Sequence, residues 1–213
     1  MDDHYFIRQG LKSVLREYFA DILFDETGSA TEALEKVSQS DWDIVLLDIS
    51  MPGRSGLEVL KELRDIKPGI PVIILSAHAE EQFAVRVLKL GASSYIRKDR
   101  AGHELVEAIE AALRGGKYIT PSIAQLLAAH LEKKAGGPAH ETLTDREYQV
   151  MCLMASGKTV TEIGFELSLS VKTISTYRAR ILMKTNLQNN AQIIRYALQH
   201  GIVGALAGSE QFR

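Results

Sequence analysis

The chain has 213 residues, enough for one large domain or two small ones, and is 46% hydrophobic and 24% charged with a net charge of −2. That composition excludes disordered and fibrous chains, and a single cysteine, Cys152, excludes a disulfide scaffold or a cysteine-rich zinc module. No apolar run reaches the ~18–20 residues of a membrane span and the acidic N-terminus does not read as a secretory signal, so the expected compartment is the cytoplasm, with no membrane partner.

The front half alternates helical periods with short apolar runs. Helices are predicted over Phe6–Phe19, Ala30–Val37, Gly56–Ile66, Gln82–Leu90 and Glu104–Leu113. Between them, Ile44–Leu47 and Val72–Leu75 are continuous and rich in β-branched residues, as parallel strands buried on both faces are. Ser94–Ile96 reads as a further strand and Ile22–Phe24 as a weak one. Strands alternating with helices in this way predict βαβ units and a doubly wound parallel sheet. Another helix is predicted over Ser122–Lys134, opened by Pro121-Ser122, and Ala135-Gly136-Gly137-Pro138 ends it as a linker. The rest is all helical, over Asp145–Ala155, Val160–Leu167, Val171–Thr185 and Ala191–His200, with a capping box in Thr144-Asp145-Arg146-Glu147. Charge divides at the same place. Residues 1–134 hold 21 acidic and 17 basic side chains, residues 144–213 only 5 acidic and 8 basic, an asymmetry that suits two domains with different partners and that chance alone also produces.

In a parallel α/β sheet, chemistry sits beyond the carboxyl ends of the strands. Asp48 and Ser76 end the two central strands, Lys98 follows the last, and Asp2-Asp3 stand before the first helix. The chemistry this set suits is phosphoryl transfer to a carboxylate. Asp2, Asp3 and Asp48 offer hard oxygen ligands to Mg²⁺, Asp48 serves as the nucleophile, and Ser76 and Lys98 hold phosphoryl oxygens. Taken singly each residue is ordinary: an Asp after a strand is commonly a cap, and Lys98 in Arg97-Lys98-Asp99-Arg100 a solvated charge. The signal lies in their falling together at consistent strand ends.

Asp2-Asp3-His4, Leu47-Asp48-Ile49-Ser50-Met51-Pro52-Gly53-Arg54-Ser55-Gly56 and Tyr95-Ile96-Arg97-Lys98-Asp99 resemble the signature segments of bacterial response-regulator receiver domains. The resemblance implies a flavodoxin-like fold with Asp48 as phosphoacceptor. It implies that Asp3, Asp48 and the Ser50 backbone carbonyl ligate Mg²⁺, with Asp2 acting through water. Ser76 and Tyr95 would form a hydroxyl–aromatic switch pair, and Lys98 would contact the phosphoryl group. This chain departs from the family in one respect: an apolar strand of about five residues ordinarily precedes the acidic pair, and here only Met1 does, so the first strand is expected to be missing and the site to be weakened. Aspartyl-phosphate hydrolases of the haloacid dehalogenase kind also place an Asp after a strand, but need a second Asp two positions on, where this chain has Ser50; no enzyme is expected.

In the rear half, Val160–Leu167, the turn Ser168-Leu169-Ser170 and Val171–Thr185 read as helix-turn-helix, with Ile163, Leu167, Leu169, Ile174 and Ile181 as its core. Two ordinary packed helices would read similarly. Leu143-Thr144-Asp145-Arg146-Glu147, Ala155-Ser156-Gly157-Lys158, Glu162-Ile163 and Leu169-Ser170-Val171-Lys172-Thr173-Ile174, however, closely resemble the LuxR-type DNA-binding domain. That resemblance implies a four-helix module whose third helix enters the major groove. Ser175, Thr176 and Ala179 would face the bases, while Lys172, Thr173, Tyr177, Arg178, Arg180 and Lys184 suit the backbone. Cys152 is expected as a core thiol, Trp42 as packing and His78 as a loop residue near the phosphoryl site. Together the two resemblances imply a response regulator of the NarL/FixJ kind. Its receiver would occupy residues 1–117, a helical linker 118–141 and the DNA-binding domain 142–206. Its partners would be double-stranded DNA, a sensor histidine kinase or other phosphodonor, and a second copy in a homodimer. The alternative is a DNA-binding regulator that works without phosphorylation and uses the receiver as a dimerisation module.

Overall fold

The apolar runs form a parallel three-stranded sheet in a computed structural model that describes residues 1–51, 53–131 and 138–203. Its strands are β1 (Val45–Asp48), β2 (Val72–Ser76) and β3 (Ser94–Arg97), in that order, with Val45 opposite Val72 and Ile73 opposite Ser94. Around it lie α1 (Tyr5–Tyr18), α2 (Ala30–Gln39), α3 (Gly56–Ile66), α4 (Glu80–Lys89) and α5 (His103–Leu113), followed by α6 (Pro121–Leu131). Residues 132–134 of the expected last helix, and 135–137 of the linker, lie outside the described residues. The side chains of β2 explain why the sheet is covered on both faces. Ile73 and Leu75 join Leu15 of α1, Ile96 of β3 and Leu105, Ala108, Ile109 and Ala112 of α5 in one cluster. Val72 and Ile74 alternate to the opposite side and are equally buried, as are Leu57, Leu60 and Leu63 of α3 and Phe83 and Val87 of α4.

The weak strand expected at Ile22–Phe24 does not form. Ile22 and Phe24 pack on the α1–α5 cluster while Leu23 is 87% exposed, so the alternation of a strand is present without its ladder. A strand needs a neighbour at ~4.8 Å, and among the described residues the place between this segment and β1 is held by Met1 and Asp2 alone. The Met1 ammonium donates to Leu46 O at 2.9 Å, Asp48 N–H donates to Met1 O at 2.9 Å, and Asp2 N–H donates across to Thr27 O at 3.1 Å. Above this short pairing, Leu11, Leu15, Ile22, Phe24, Ile44 and Leu46 line part of a cavity of about 720 Å³.

A second compact unit is built from α7 (Asp145–Ala155), α8 (Val160–Glu166), α9 (Val171–Thr185) and α10 (Asn190–Gln199). The capping box forms as its sequence implies: Glu147 N–H donates to Thr144 Oγ1 at 3.3 Å, and Thr144 N–H to Glu147 Oε2 at 2.9 Å. Every residue of α7 is buried, Cys152 included, and α9 and α10 both pack against it. Ile163, Leu167, Ile174 and Ile181 are fully buried; Leu169, expected with them, is half-buried. Between α8 and α9 the chain turns tightly, with Leu169 N–H on Gly164 O at 2.8 Å, and a Cβ on Gly164 would lie 2.8 Å from Leu169 O. Only glycine leaves room for that approach.

Candidate functional site: an acidic phosphoacceptor pocket and an exposed helix face

Asp48 is the last residue of β1 and is 1% exposed. One of its oxygens, Oδ2, receives Lys98 Nζ at 2.8 Å; the other, Oδ1, receives the Ser50 N–H at 3.1 Å. Lys98 also lies 2.7 Å from Asp2 Oδ2, so one ammonium spans two buried carboxylates. Burial raises the Asp48 carboxyl above the ordinary Asp range, with Lys98 opposing the shift and Asp2 adding to it. Burial alone would lower Lys98, yet Asp48 and Asp2 hold it above its ordinary value. The Asp2 and Asp48 carboxylates thus face each other across one shared cation. Arg8 steadies the acidic pair from behind, its guanidinium donating to Asp2 O at 2.7 Å.

Ligand atoms of Asp2, Asp3, His4 and Asp48 all lie within 4.8 Å of one another. Two buried carboxylate oxygens in the cluster, Asp2 Oδ2 and Asp3 Oδ1, meet Lys98 Nζ at 2.7 Å and His4 Nδ1 at 2.9 Å. Buried carboxylate oxygens facing one point are the donor set of a hard divalent cation. The residues fit such an ion.

Ser76 and Tyr95 are fully buried and close the loop that follows β2. His78 N–H donates to Ser76 Oγ at 3.1 Å, and Tyr95 OH donates to His78 O at 2.8 Å. The His78 ring reaches back to the site and pairs with Ser50 Oγ at 2.8 Å. A smaller cavity of about 330 Å³, lined by His4, Ile7, Ala77, Arg97, Lys98 and Asp99, opens beside Lys98.

On α9, Lys172, Ser175, Thr176, Ala179, Arg180 and Met183 are exposed at helical spacing and share one face. Tyr177 and Arg178 are half-buried at its side, and Arg178 Nε donates to Asn190 Oδ1 at 2.6 Å. Thr173 belongs to the helix start, where its N–H donates to the Ser170 hydroxyl at 3.0 Å. Lys184 is tied inward, its ammonium 2.6 Å from Glu147 Oε2 in the α7 capping box.

The description "Response regulator receiver domain" matches residues 1–110, and "Bacterial regulatory proteins, luxR family" matches residues 141–197. Response regulator UvrY of Escherichia coli (strain K12) is 31% identical over 212 residues, covering 99% of this chain and 97% of its own. The chain is a response regulator. Response regulator GacA of Pseudomonas viridiflava is 33% identical over 208 residues, covering 97% of each chain. RcsB of Salmonella enterica serovar Typhimurium, solved bound to a promoter in the presence of phosphomimetic BeF3−, superimposes with a TM-score of 0.61 at 26% identity, covering 93% of this chain and 96% of that one. A structure of two RcsB dimers on two parallel DNAs gives 0.57 at 26% identity, covering 92% and 94%. The response regulator therefore belongs with the NarL/FixJ kind, phosphorylatable transcriptional regulators that join a receiver to a LuxR-type helix-turn-helix.

Within the regulator, the sequence-derived residues Asp2, Asp3, Asp48 and Lys98 converge, and Ser50, Ser76 and Tyr95 frame them. Three further participants were not singled out by sequence reasoning. His4 was quoted only as part of a motif yet lies 2.9 Å from Asp3 Oδ1. Arg8 carries no signal in sequence, since one arginine on an amphipathic helix is ordinary. Met183, 73% exposed on the same face of α9 as Ser175, Thr176 and Ala179, is legible only once the helix phase is fixed by Ile174 and Ile181.

Proposed function

We propose that Asp48 accepts a phosphoryl group from a sensor histidine kinase or a small phosphodonor, and that this switches a homodimer on double-stranded DNA. The observation that carries the proposal is Asp48 itself: buried at a strand end, with one oxygen on Lys98 and the acidic pair alongside. A carboxylate oxygen forms the bond to phosphorus as the donor's bond to phosphorus breaks. Lys98 then follows the charge from carboxylate to phosphoryl oxygen, and Ser76 supplies a hydroxyl to another. Asp2, Asp3, Asp48 and the Ser50 carbonyl would hold Mg²⁺, which when bound neutralises charge gathering on the phosphoryl oxygens. Residues 1–117 form the receiver, 118–141 the linker and 142–206 the DNA-binding domain, of which 204–206 lie outside the described residues. No described helix is long and apolar enough to cross a membrane, which suits work in the cytoplasm.

On DNA, Ser175, Thr176 and Ala179 face the base edges. Lys172 and Arg180, with Thr173, Tyr177, Arg178 and Lys184 around them, lie nearer the phosphates. One helix grips one half-site, so two copies about one helical turn apart, roughly 34 Å, are expected. The second reading, a regulator that works unphosphorylated, is favoured by one feature. The Met1 ammonium is buried beside Asp2 and Asp48, where it and Lys98 already balance the carboxylates. Acetyl phosphate with Mg²⁺ separates the two. The first reading expects one acid-stable, hydroxylamine-labile phosphoryl group that Asp48→Asn abolishes with the fold intact, and label persisting in Asp48→Asn overturns the assignment.

A further inference from the structure

After α5 the chain passes the start of β3, with Tyr118 N–H on Ser93 O at 3.2 Å and Ser94 Oγ donating to Tyr118 O at 2.9 Å. It then places two hydroxyls on one buried carboxylate. Ser122 Oγ donates to Glu80 Oε2, Thr120 Oγ1 lies 3.5 Å from Glu80 Oε1, and the two hydroxyls bond each other at 2.9 Å. Glu80 is only 6% exposed. A carboxylate withdrawn this far from water is costly unless donors replace the water, so these hydroxyls do more than decorate a surface. Thr120 Oγ1 also accepts the Ile123 N–H at 3.3 Å, and Ile123 is fully buried. At the other end of the same two helices, Lys89 Nζ bonds His130 Nε2. From Glu80 to Lys89 and from Ser122 to His130 the two helices rise by similar amounts, ~12–14 Å, so α6 lies along α4 and is held at both ends.

Glu80 is also the residue at which the loop after Ser76 ends. Ser76 Oγ holds His78 N–H, and Tyr95 OH holds His78 O and lies 3.5 Å from Ala79 O. One short loop therefore has the phosphoryl-binding hydroxyl at its start and the anchor of α6 at its end. We propose that Glu80 is a latch: in the resting protein its carboxylate holds Thr120 and Ser122, and with them α6, and a phosphoryl group on Asp48 loosens that hold by drawing Ser76 away from His78. The latch rests on the phosphoacceptor reading above and adds to it the contact by which the site governs the segment leading to the DNA-binding unit. Only Ala77, His78 and Ala79 separate Ser76 from Glu80, so the route from the phosphoryl site to the latch is three residues long.

The test uses the full chain, with beryllofluoride and Mg²⁺ as the phosphoryl mimic. Its readouts are amide exchange over residues 120–130 and affinity for a duplex selected from a random pool by the beryllofluoride-loaded protein. In the native protein the mimic should speed exchange in α6 and tighten binding by about fivefold or more. Ser122→Ala and Glu80→Gln should exchange fast in α6 without the mimic, and their affinities with and without it should converge to within about twofold. Lys89→Met, at the exposed end of the contact, carries the same test should Glu80→Gln fail to fold. Acetyl-phosphate labelling of Asp48 is followed in every variant. Normal labelling with a native affinity ratio and native α6 exchange in the variants overturns the latch alone. A native protein that takes no label overturns the phosphoacceptor reading, and the latch with it.

Discussion

At Gly56 a Cβ would lie 2.2 Å from Asp48 O and 2.7 Å from Ile49 Cα. This glycine therefore lets the capped start of α3 rest on the end of β1, with its N–H on Ile49 O at 2.9 Å. Gly56→Ala must push the strand end aside, an overpacking cost of about 1–3 kcal/mol, and the displaced atoms belong to the phosphoacceptor. Unfolding midpoint and acetyl-phosphate labelling should fall together; a variant that loses stability while labelling at the native rate would separate the two. In the other unit, Glu147 is buried, and although burial opposes it, the Lys184 ammonium and the Thr144 hydrogen bonds hold its carboxyl below the usual range. A depressed folded-state carboxyl contributes stability that is present above the unfolded pKa, roughly 4.3, and is lost as pH falls through the folded value. Lys184→Met should cost on the order of 1–2 kcal/mol at neutral pH and flatten the acid limb of the C-terminal unfolding curve. An unchanged acid limb would show that the pair does not set it.

The exposed face of α9 makes a prediction at the scale of the helix. Lys172→Ala or Arg180→Ala, each removing a solvent-facing cation, should weaken binding to all duplexes and lower the salt slope by about one unit. Ser175→Ala or Thr176→Ala should leave the slope alone and change which sequences are preferred. Selection from a random duplex pool at two salt concentrations reads both, and identical behaviour of the two classes would remove the division. Lys184, first placed with the phosphate contacts, has a competing partner in Glu147, so its removal should act on stability as well. The pattern of what was legible follows from the physics of each element. Continuous apolar strands, the Thr144–Glu147 box and the spacing of Ile163, Ile174 and Ile181 are local signals, and they fell within a residue or two of their places. Asp48, Ser76 and Lys98 were legible because strand ends of a parallel sheet converge. Ile22–Phe24 misled because alternation reports burial on one face, whereas a strand also requires a neighbour. The Glu147–Lys184 and Ser50–His78 contacts join residues 37 and 28 positions apart, with no local pattern to announce them.

At the scale of the whole sheet, β1 is one edge among the described residues, and Met1 and Asp2 run beside it. Met1 pairs with Leu46 and Asp48 in the alternating manner of a parallel ladder, while Asp2 turns its N–H to Thr27 on the other side. Continued backwards from Met1 along β1, that line enters the cavity of about 720 Å³ lined by Ile22, Phe24, Ile44 and Leu46. Six extended residues reach about 20 Å, and four or five apolar side chains among them would bury on the order of 6–15 kcal/mol as an upper bound, comparable with the whole stability of a domain. The Met1 ammonium adds a separate cost. Burial lowers its pKa below the ordinary value near 8, although Asp2 and Asp48 pull the other way. An amine whose folded-state pKa is depressed makes the protein gain stability as pH rises from the folded value towards the unfolded one, because only the unfolded chain then holds the proton. An apolar hexapeptide joined to Met1 converts that ammonium into an amide that can still donate to Leu46 O, fills the cavity and removes a positive charge from beside the acidic pair. Its expected effects are therefore three at once: a higher unfolding midpoint, faster labelling of Asp48, and loss of the rise in stability on approaching pH 8. A hexapeptide of serine and asparagine makes the same amide without apolar side chains, so it should abolish the pH dependence and leave the midpoint low. If both extensions raised the midpoint equally, the cavity would not be the seat of a strand, and the gain would belong to the amide alone.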